Sequence, residues 1–509
     1  MANYKHLPLI CALLFVSFNE VKAQDTTVTI QSSAAKQIAY NFVTQSGLFL
    51  AKSDIKKTSN TSLDYKLYGG GFKLAQDAER NTSIKFSSEG VRTLKNLKLW
   101  GQFVYHNQQN DSIAFSHRID NADPAPYYYG SEKAVHYKRT DYAINTLTYT
   151  PVISQLGFAL GFDYGMGNHA STNDPRGALK HFRLILKPEL VYHLGKHGVS
   201  LNGTYGYGQN EYQIDYRNKA FYESTSYPHY LNRLMNGYGM ARTALDFSDR
   251  VFLIDRKWKG LEGYGNFALN NASLQAALGY VDRREVFNRG NSDGRYASRQ
   301  NYGEFDLETY YAKLIYVQND WLFRMSLEKE QGQDNNYELG GNNYLYNAEN
   351  LSLEGIKSFP KDWELGLMLH LNTLQKVDGN LEIEKFRSTG GIKILAGKKT
   401  EFKENLKWVN QLKLGFYTPL NPSFSYNPLK VNSFIANVVL PDAAYDLFAH
   451  GEITLNSKLF YKQNRTNWVF GVDAYLFSAY KSNQNSLITT ANSIGKNGYG
   501  MQLSLGLLF

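Results

Sequence analysis

From Tyr499 to Phe509 the chain alternates: Tyr499, Met501, Leu503, Leu505, Leu507 and Phe509 are apolar, whereas Gly500, Gln502, Ser504 and Gly506 are small or polar. Successive side chains of a strand point to opposite faces, so this pattern predicts a strand with one apolar and one wet face. The same period recurs upstream. Trp363, Leu365, Leu367, Leu369 and Leu371 alternate with Glu364, Gly366, Met368, His370 and Asn372. Phe182, Leu184, Leu186, Leu190, Tyr192 and Leu194 alternate with Arg183, Lys187, Glu189 and His193, with a break in phase near Pro188. Tyr445, Leu447, Ala449, Ile453, Leu455, Leu459 and Tyr461 oppose Asp446, His450, Glu452, Thr454, Asn456, Lys458 and Lys462, and Trp321, Phe323, Met325 and Leu327 face away from Arg324 and Glu328. A soluble sandwich shows the same alternation. Run length and the Tyr, Trp and Phe near the run ends favour an all-β, transmembrane antiparallel β-barrel, with apolar faces on lipid and charged alternates in the lumen.

The connections alternate as well. Short ones are predicted at Thr93–Asn96, Pro151–Ser154, Gly195–Gly198, Asn270–Ala272, Gln318–Asp320, Phe359–Asp362, Gly397–Thr400 and Gln463–Thr466. Long ones fall near 107–138, 165–178, 214–253, 283–301, 331–346, 374–383, 418–441 and 481–496. Short periplasmic turns and long extracellular loops are what such a barrel needs, and counting from about Ser62 gives about 18 strands, within a range of about 16–20. Residues 60–509 are thus expected to be the barrel. Residues 24–59 form a periplasmic or lumenal segment, whose stretch Ile38–Ala51 suits a short helix, a strand or a tail entering the lumen. That segment is too short for the globular plug of a TonB-dependent receptor.

Composition narrows the compartment. Leu7–Phe18 is an apolar run behind Lys5, and Val21-Lys22-Ala23 suits signal peptidase, so residues 1–23 read as a signal peptide cut near Ala23/Gln24. The sole cysteine, Cys11, lies within it. The net charge of +9 is spread thinly, without a Lys/Arg block that would suggest nucleic acid. A mean hydropathy of −0.44 excludes a helical membrane bundle and suits strands with one wet face. The 38 tyrosines suit interfacial girdles and loops, which take an aromatic body with a polar tip.

The stretch Ser83–Asn107, with Trp100-Gly101, followed by Asp120-Asn-Ala-Asp-Pro-Ala-Pro126-Tyr127-Tyr128, resembles a Bacteroidota family of outer-membrane β-barrels of unknown function, and the resemblance runs on to the C-terminus. Members of that family tend to be encoded beside TonB-dependent receptors in iron-related gene clusters. The resemblance therefore implies a non-catalytic accessory component of a nutrient (iron or haem) uptake system in the bacterial outer membrane. A general porin-like channel and a structural component of a secretion or assembly complex are the alternatives. The expected partners are outer-membrane lipids, the barrel-assembly machinery during insertion, which reads the C-terminal signal Tyr499 to Phe509, and, by the resemblance, a TonB-dependent receptor.

Candidate chemistry is sparse. Gly391–Lys399 has the wrong glycine spacing for a phosphate loop, and Ser116-His117 point apart in an extended chain, so neither supports an enzyme. No cofactor is expected. His106, His117, His136, His169 and His229 fall in or near predicted extracellular loops among Tyr127, Tyr128, Tyr129, Tyr137, Tyr222, Tyr227 and Tyr230. They are the candidate metal or haem ligands, set against the plainer reading as ordinary loop and girdle residues. Glu304, Asp306 and Glu308 share one strand face, opposite Phe305 and Leu307, and are expected to form an acidic ladder in the lumen. Mixed charges on the wet faces favour a filled lumen over an open one.

Overall fold

Period-two alternation is realised as strands of 12 to 21 residues, from Asn497–Leu508 to Ile383–Lys403. The computed structural model describes residues 24–223, 226–243, 250–289, 300–464, 466–481 and 495–509. The expected signal peptide, and parts of the loops at 283–301 and 481–496, lie outside the described residues. Eighteen strands pair antiparallel, each with its neighbours in sequence. The first, Lys57–Gly70, closes the ring on the last, Asn497–Leu508, with Leu63 opposite Leu505. It begins five residues before Ser62, where the alternation becomes clear. An even strand number leaves both termini at one end, here termed the turn end. Lys95, Asn319 and Asn464 have positive φ in the tight turns there, the conformation that short hairpins require.

The outer and inner faces sort by parity. Leu365, Leu367, Leu369, Ile392, Ile394, Leu412, Leu414, Ile453, Leu455, Phe470, Met501, Leu503 and Leu505 are all exposed on the outside. Backbone groups are satisfied within the closed sheet, so this unbroken apolar belt can face hydrocarbon. The inner alternates carry ion pairs: Arg324–Glu354 at 2.8 Å, Lys393–Glu452 at 3.1 Å and Arg183–Asp163 at 3.3 Å.

Several expectations are corrected. Strand Ile383–Lys403 runs straight through Gly397–Thr400 and turns only after Lys403. Its polar residues mark the end of a lumenal face: Lys399 pairs there with Asp362 and Glu401. The phase is unbroken at Pro188, because Leu186↔Tyr205 and Glu189↔Asn202 keep one register across it. The loop placed at 165–178 shrinks to 172–175, between strands Leu156–Ser171 and Arg176–Leu194. Tyr445 closes a short helix, Leu440–Tyr445, that leads into strand Phe448–Gln463. The acidic ladder points outward: Phe305 and Leu307 are buried inside, while Glu304, Asp306 and Glu308 share the outer parity of exposed Tyr310.

Candidate functional site

The lumen is occupied from both ends. At the turn end, residues 24–52 form three helices, α1 (Gln24–Gln31), α2 (Ala34–Val43) and α3 (Gly47–Lys52). Ser33 and Ser46 are N-caps, whose hydroxyls accept from Lys36 N and Leu48 N. Leu48, Phe49 and Leu50 of α3 are wholly buried. Phe42 and Leu48–Phe49 pack on Tyr149, Ala159, Val191, Tyr264 and Ile315 of the wall, while Val28 of α1 packs on Val409, Phe460 and Leu508. The helices thus reach the wall on opposite sides of the ring.

Two wall carboxylates hold this plug by the same device. Glu189, buried, accepts from Ser46 Oγ at 2.6 Å, Gly47 N at 2.7 Å, Leu48 N at 3.2 Å and the wall's Ser200 Oγ at 2.6 Å. Glu364 accepts from Ser33 Oγ and, at 2.9 Å, from Ala34 N. Each carboxylate meets the free N–H groups at the start of a helix, where negative charge is favoured. Gly47 is required by contact: a Cβ there would lie 2.1 Å from the Ala159 Cβ.

At the other end, the loop end, residues 114–134 fold inward. Tyr127–Gly130 joins Arg233–Asn236 and Gly239–Thr243 in a three-stranded sheet inside the mouth. Phe115, Tyr127, Tyr129, Leu234, Met235, Phe434, Ile435 and Val439 bury themselves against wall residues such as Phe252, Phe287, Phe305 and Tyr344. The Tyr127 hydroxyl donates to Asp334 at 2.6 Å, and Lys385 pairs with Asp446 at 2.7 Å. Asp123, at the inner turn of the loop, lies between Arg256 and Arg283 of the wall. Burial alone would raise its pKa, but Arg283, Arg256 and Arg118 outweigh burial and hold its carboxyl well below the usual range. Between the two fillings Lys66, Lys85 and Arg183 face inward yet remain exposed, so the middle of the lumen is polar and wet.

One wall of this middle region carries a histidine cluster. Lys85, His106, Asp141, Gly167 and His181 lie side by side on five consecutive strands. His181 Nε2 reaches Asp141 Oδ1 at 2.8 Å over Gly167, where any Cβ would collide with both. His169 Nε2 meets the same oxygen at 2.7 Å. The ligand atoms of Asp141, His169 and His181 lie within 4.8 Å of one another, close enough to suggest a metal. The tautomer argues against it. His169 Nδ1 faces Arg139 Nη1 at 2.9 Å, and a guanidinium can only donate, so Nδ1 accepts and Nε2 keeps its proton. A metal-binding imidazole needs that Nε2 lone pair, with its other nitrogen donating to an acceptor. The cluster is instead a hydrogen-bonded strut, and Arg139 extends it to the loop carbonyls of Arg118 and Ile119 at 2.8 Å each.

The histidines expected as ligands are dispersed. His106 and His169 belong to this wall. His136 pairs with Asp111 at 3.3 Å and His229 with Glu132 at 2.8 Å, both in exposed positions at the loop end. His117 is buried against the Tyr137 hydroxyl at 2.5 Å, and burial, with the Arg139 charge, lowers its pKa to about 3. Ser116 donates to Asn121, so it makes no dyad with His117. The C-terminal residues Tyr499, Met501, Leu503 and Leu505 lie on the outer belt. Asp123, Asp141, His181, Glu189, Glu364, Arg256 and Arg283 were not singled out in the sequence as a group. Their partners lie tens to hundreds of positions away, and strand register together with insertion of the helices and the loop brings them together.

A family profile described as "Family of unknown function (DUF6850)" matches residues 47–509. No curated protein matches the sequence. Similar solved structures include BauA, the ferric preacinetobactin receptor from Acinetobacter baumannii, at 9% identity over 89% of this chain and 80% of that one, with a TM-score of 0.39. The FrpB iron transporter from Neisseria meningitidis is 10% identical over 90% and 82%, with a TM-score of 0.40. The open form of the ferric-catecholate import receptor Fiu from E. coli K12 is 8% identical over 89% and 82%, with a TM-score of 0.36.

Proposed function

The chain belongs to the family of unknown function DUF6850, and from the way its lumen is held shut we propose that it is a resting-closed outer-membrane barrel, a non-catalytic component of a nutrient-uptake system. In this reading the turn end is periplasmic and the loop end extracellular. The observation that carries it is the double filling: the chain's own helices and loops close a wet, charged lumen, and buried carboxylates latch each filling to the wall. Buried ion pairs gain little net stability over apolar packing, so their use at the loop-end closure fits an element that must also let go. A permanently open porin would not bury apolar clusters across both ends of its lumen. Iron or haem as the nutrient follows from the family resemblance, and the protein then acts beside a receptor that performs the energised step. A strain lacking this chain should grow more slowly than its parent with haem as sole iron source and equally well in iron-replete medium, with growth restored by the intact gene. Equal growth on limiting haem would contradict the iron reading.

A further inference from the structure

The inner turn of loop 114–134 ends in a charged group that the closure alone does not require. Arg256 lies on strand Val251–Leu269, and Arg283 and Glu285 lie on its neighbour Ala272–Arg289, with Arg256 directly opposite Glu285. Arg256 is five residues inside the loop end of its strand, so the loop reaches about 17 Å along the wall to meet it. Glu285, fully buried, lies between both guanidinium groups: its Oε1 is 3.0 Å from Arg256 Nε and 3.1 Å from Arg283 Nε, and its Oε2 accepts from Arg256 Nη2 at 3.4 Å. Both Nη2 groups also converge on one point. Asp123 occupies it, with Oδ2 at 2.5 Å from Arg256 and Oδ1 at 2.8 Å from Arg283.

Each oxygen of the loop carboxylate thus takes one charge-assisted hydrogen bond from its own arginine, so the two guanidinium groups clamp it from both sides. The wall half is built without the loop, because Glu285, on the wall itself, lies between the two arginines. With Asp123 withdrawn, Arg256, Arg283 and Glu285 leave a socket of net charge about +1, which an incoming carboxylate would neutralise. Asp123 is itself pre-oriented by its own turn, its Oδ1 accepting from Ala125 N at 3.1 Å, while Arg118 of the same loop braces the Ala125 carbonyl at 3.0 Å.

We propose that Arg256 and Arg283 form a binding site for a carboxylate-bearing small solute, and that Asp123 is an internal ligand that fills this site while the barrel is closed. This rests on the reading of loop 114–134 as a closure that moves. A solute carboxylate entering the lumen competes with Asp123 for the two arginines, and the loop is released as the solute is bound. An internal competitor lowers the apparent affinity by the fraction of time it occupies the site, so removing it raises affinity.

The mature chain is expected to be cysteine-free, which permits a single reporter. Ala125, buried beside Asp123, is replaced in the full chain (Ala125→Cys), and its maleimide labelling is timed against succinate, with sodium chloride at matched ionic strength as the control. Labelling should accelerate several-fold and saturate with succinate alone, and this response should vanish when Arg283→Gln is added. Calorimetry with succinate should show Asp123→Asn binding at least about tenfold tighter than the intact chain. Retained heat-modifiable migration on a gel checks that each variant is still a barrel. Labelling indifferent to succinate, together with a folded Asp123→Asn that binds succinate no more tightly than the intact chain, would overturn the proposal. Planar-bilayer conductance tests the closure itself without any solute, so the two readings fail separately.

Discussion

His117 shows how one side chain couples the loop-end closure to pH. Its imidazole is buried against Tyr137, and burial, followed by the Arg139 charge, holds its pKa at about 3. In an unfolded chain it would titrate near 6.5. A histidine whose folded pKa is depressed contributes stability that is fully present above the unfolded value and lost as pH falls towards the folded one. The window is therefore pH 6.5 down to 3, and at pH 5 the loss is about 2 kcal/mol. Hydrogen exchange of residues 113–137, corrected for intrinsic rates, should rise from pH 7 to pH 5 in the intact chain, and His117→Phe should flatten that rise. An unchanged slope in the variant would assign the effect to another group. Little of this was legible beforehand. His117 stood out as a loop histidine, but its environment depends on Tyr137, twenty residues on and across a strand. Gly167, the residue that lets Asp141 and His181 meet, carries no side chain to announce itself.

At the scale of elements, the N-terminal plug is a set of short helices that could not persist alone in water, since isolated helices of this length are marginal. They form because the wall supplies what they lack: apolar partners for Phe42, Leu48 and Phe49, and carboxylates for their first N–H groups. The contact of Gly47 with Ala159 makes a specific prediction. Gly47→Ala should unseat α3 and expose Lys52 to trypsin several-fold faster, and Ala159→Gly in the same chain should restore resistance. Failure of the second change to rescue the first would mean that α3 is held elsewhere. The apolar stretch Ile38–Ala51 was visible as such, with helix, strand and lumenal tail all open to it. The choice among them lies in Glu189 and Glu364, which read simply as wet-face residues of their strands. The error at Glu304, Asp306 and Glu308 has a related cause. Polar-inward, apolar-outward holds where the lumen is wet. Near the loop end the lumen is packed with tyrosine and phenylalanine, so Phe305 and Leu307 turn inward and the acids turn out. An occupied barrel inverts its own code wherever it is full.

At the scale of the whole molecule, the outer surface and the lumen answer to different solvents. The belt of exposed leucine, isoleucine and phenylalanine encircles a sheet that closes on itself by strand pairing, the condition for crossing a bilayer without helices. That much follows from the alternation, and the strand number could be counted from turns. The closure follows only from register and insertion. The two fillings act in series, so opening one leaves the other in the path. The decisive measurement is conductance in planar bilayers. The intact chain should be electrically silent, and variants lacking residues 24–53, or with residues 114–134, 231–243 and 433–440 replaced by short glycine-serine links, should stay nearly so. Only the variant with both changes should show large, steady steps. A steady large conductance from the intact chain would contradict the account.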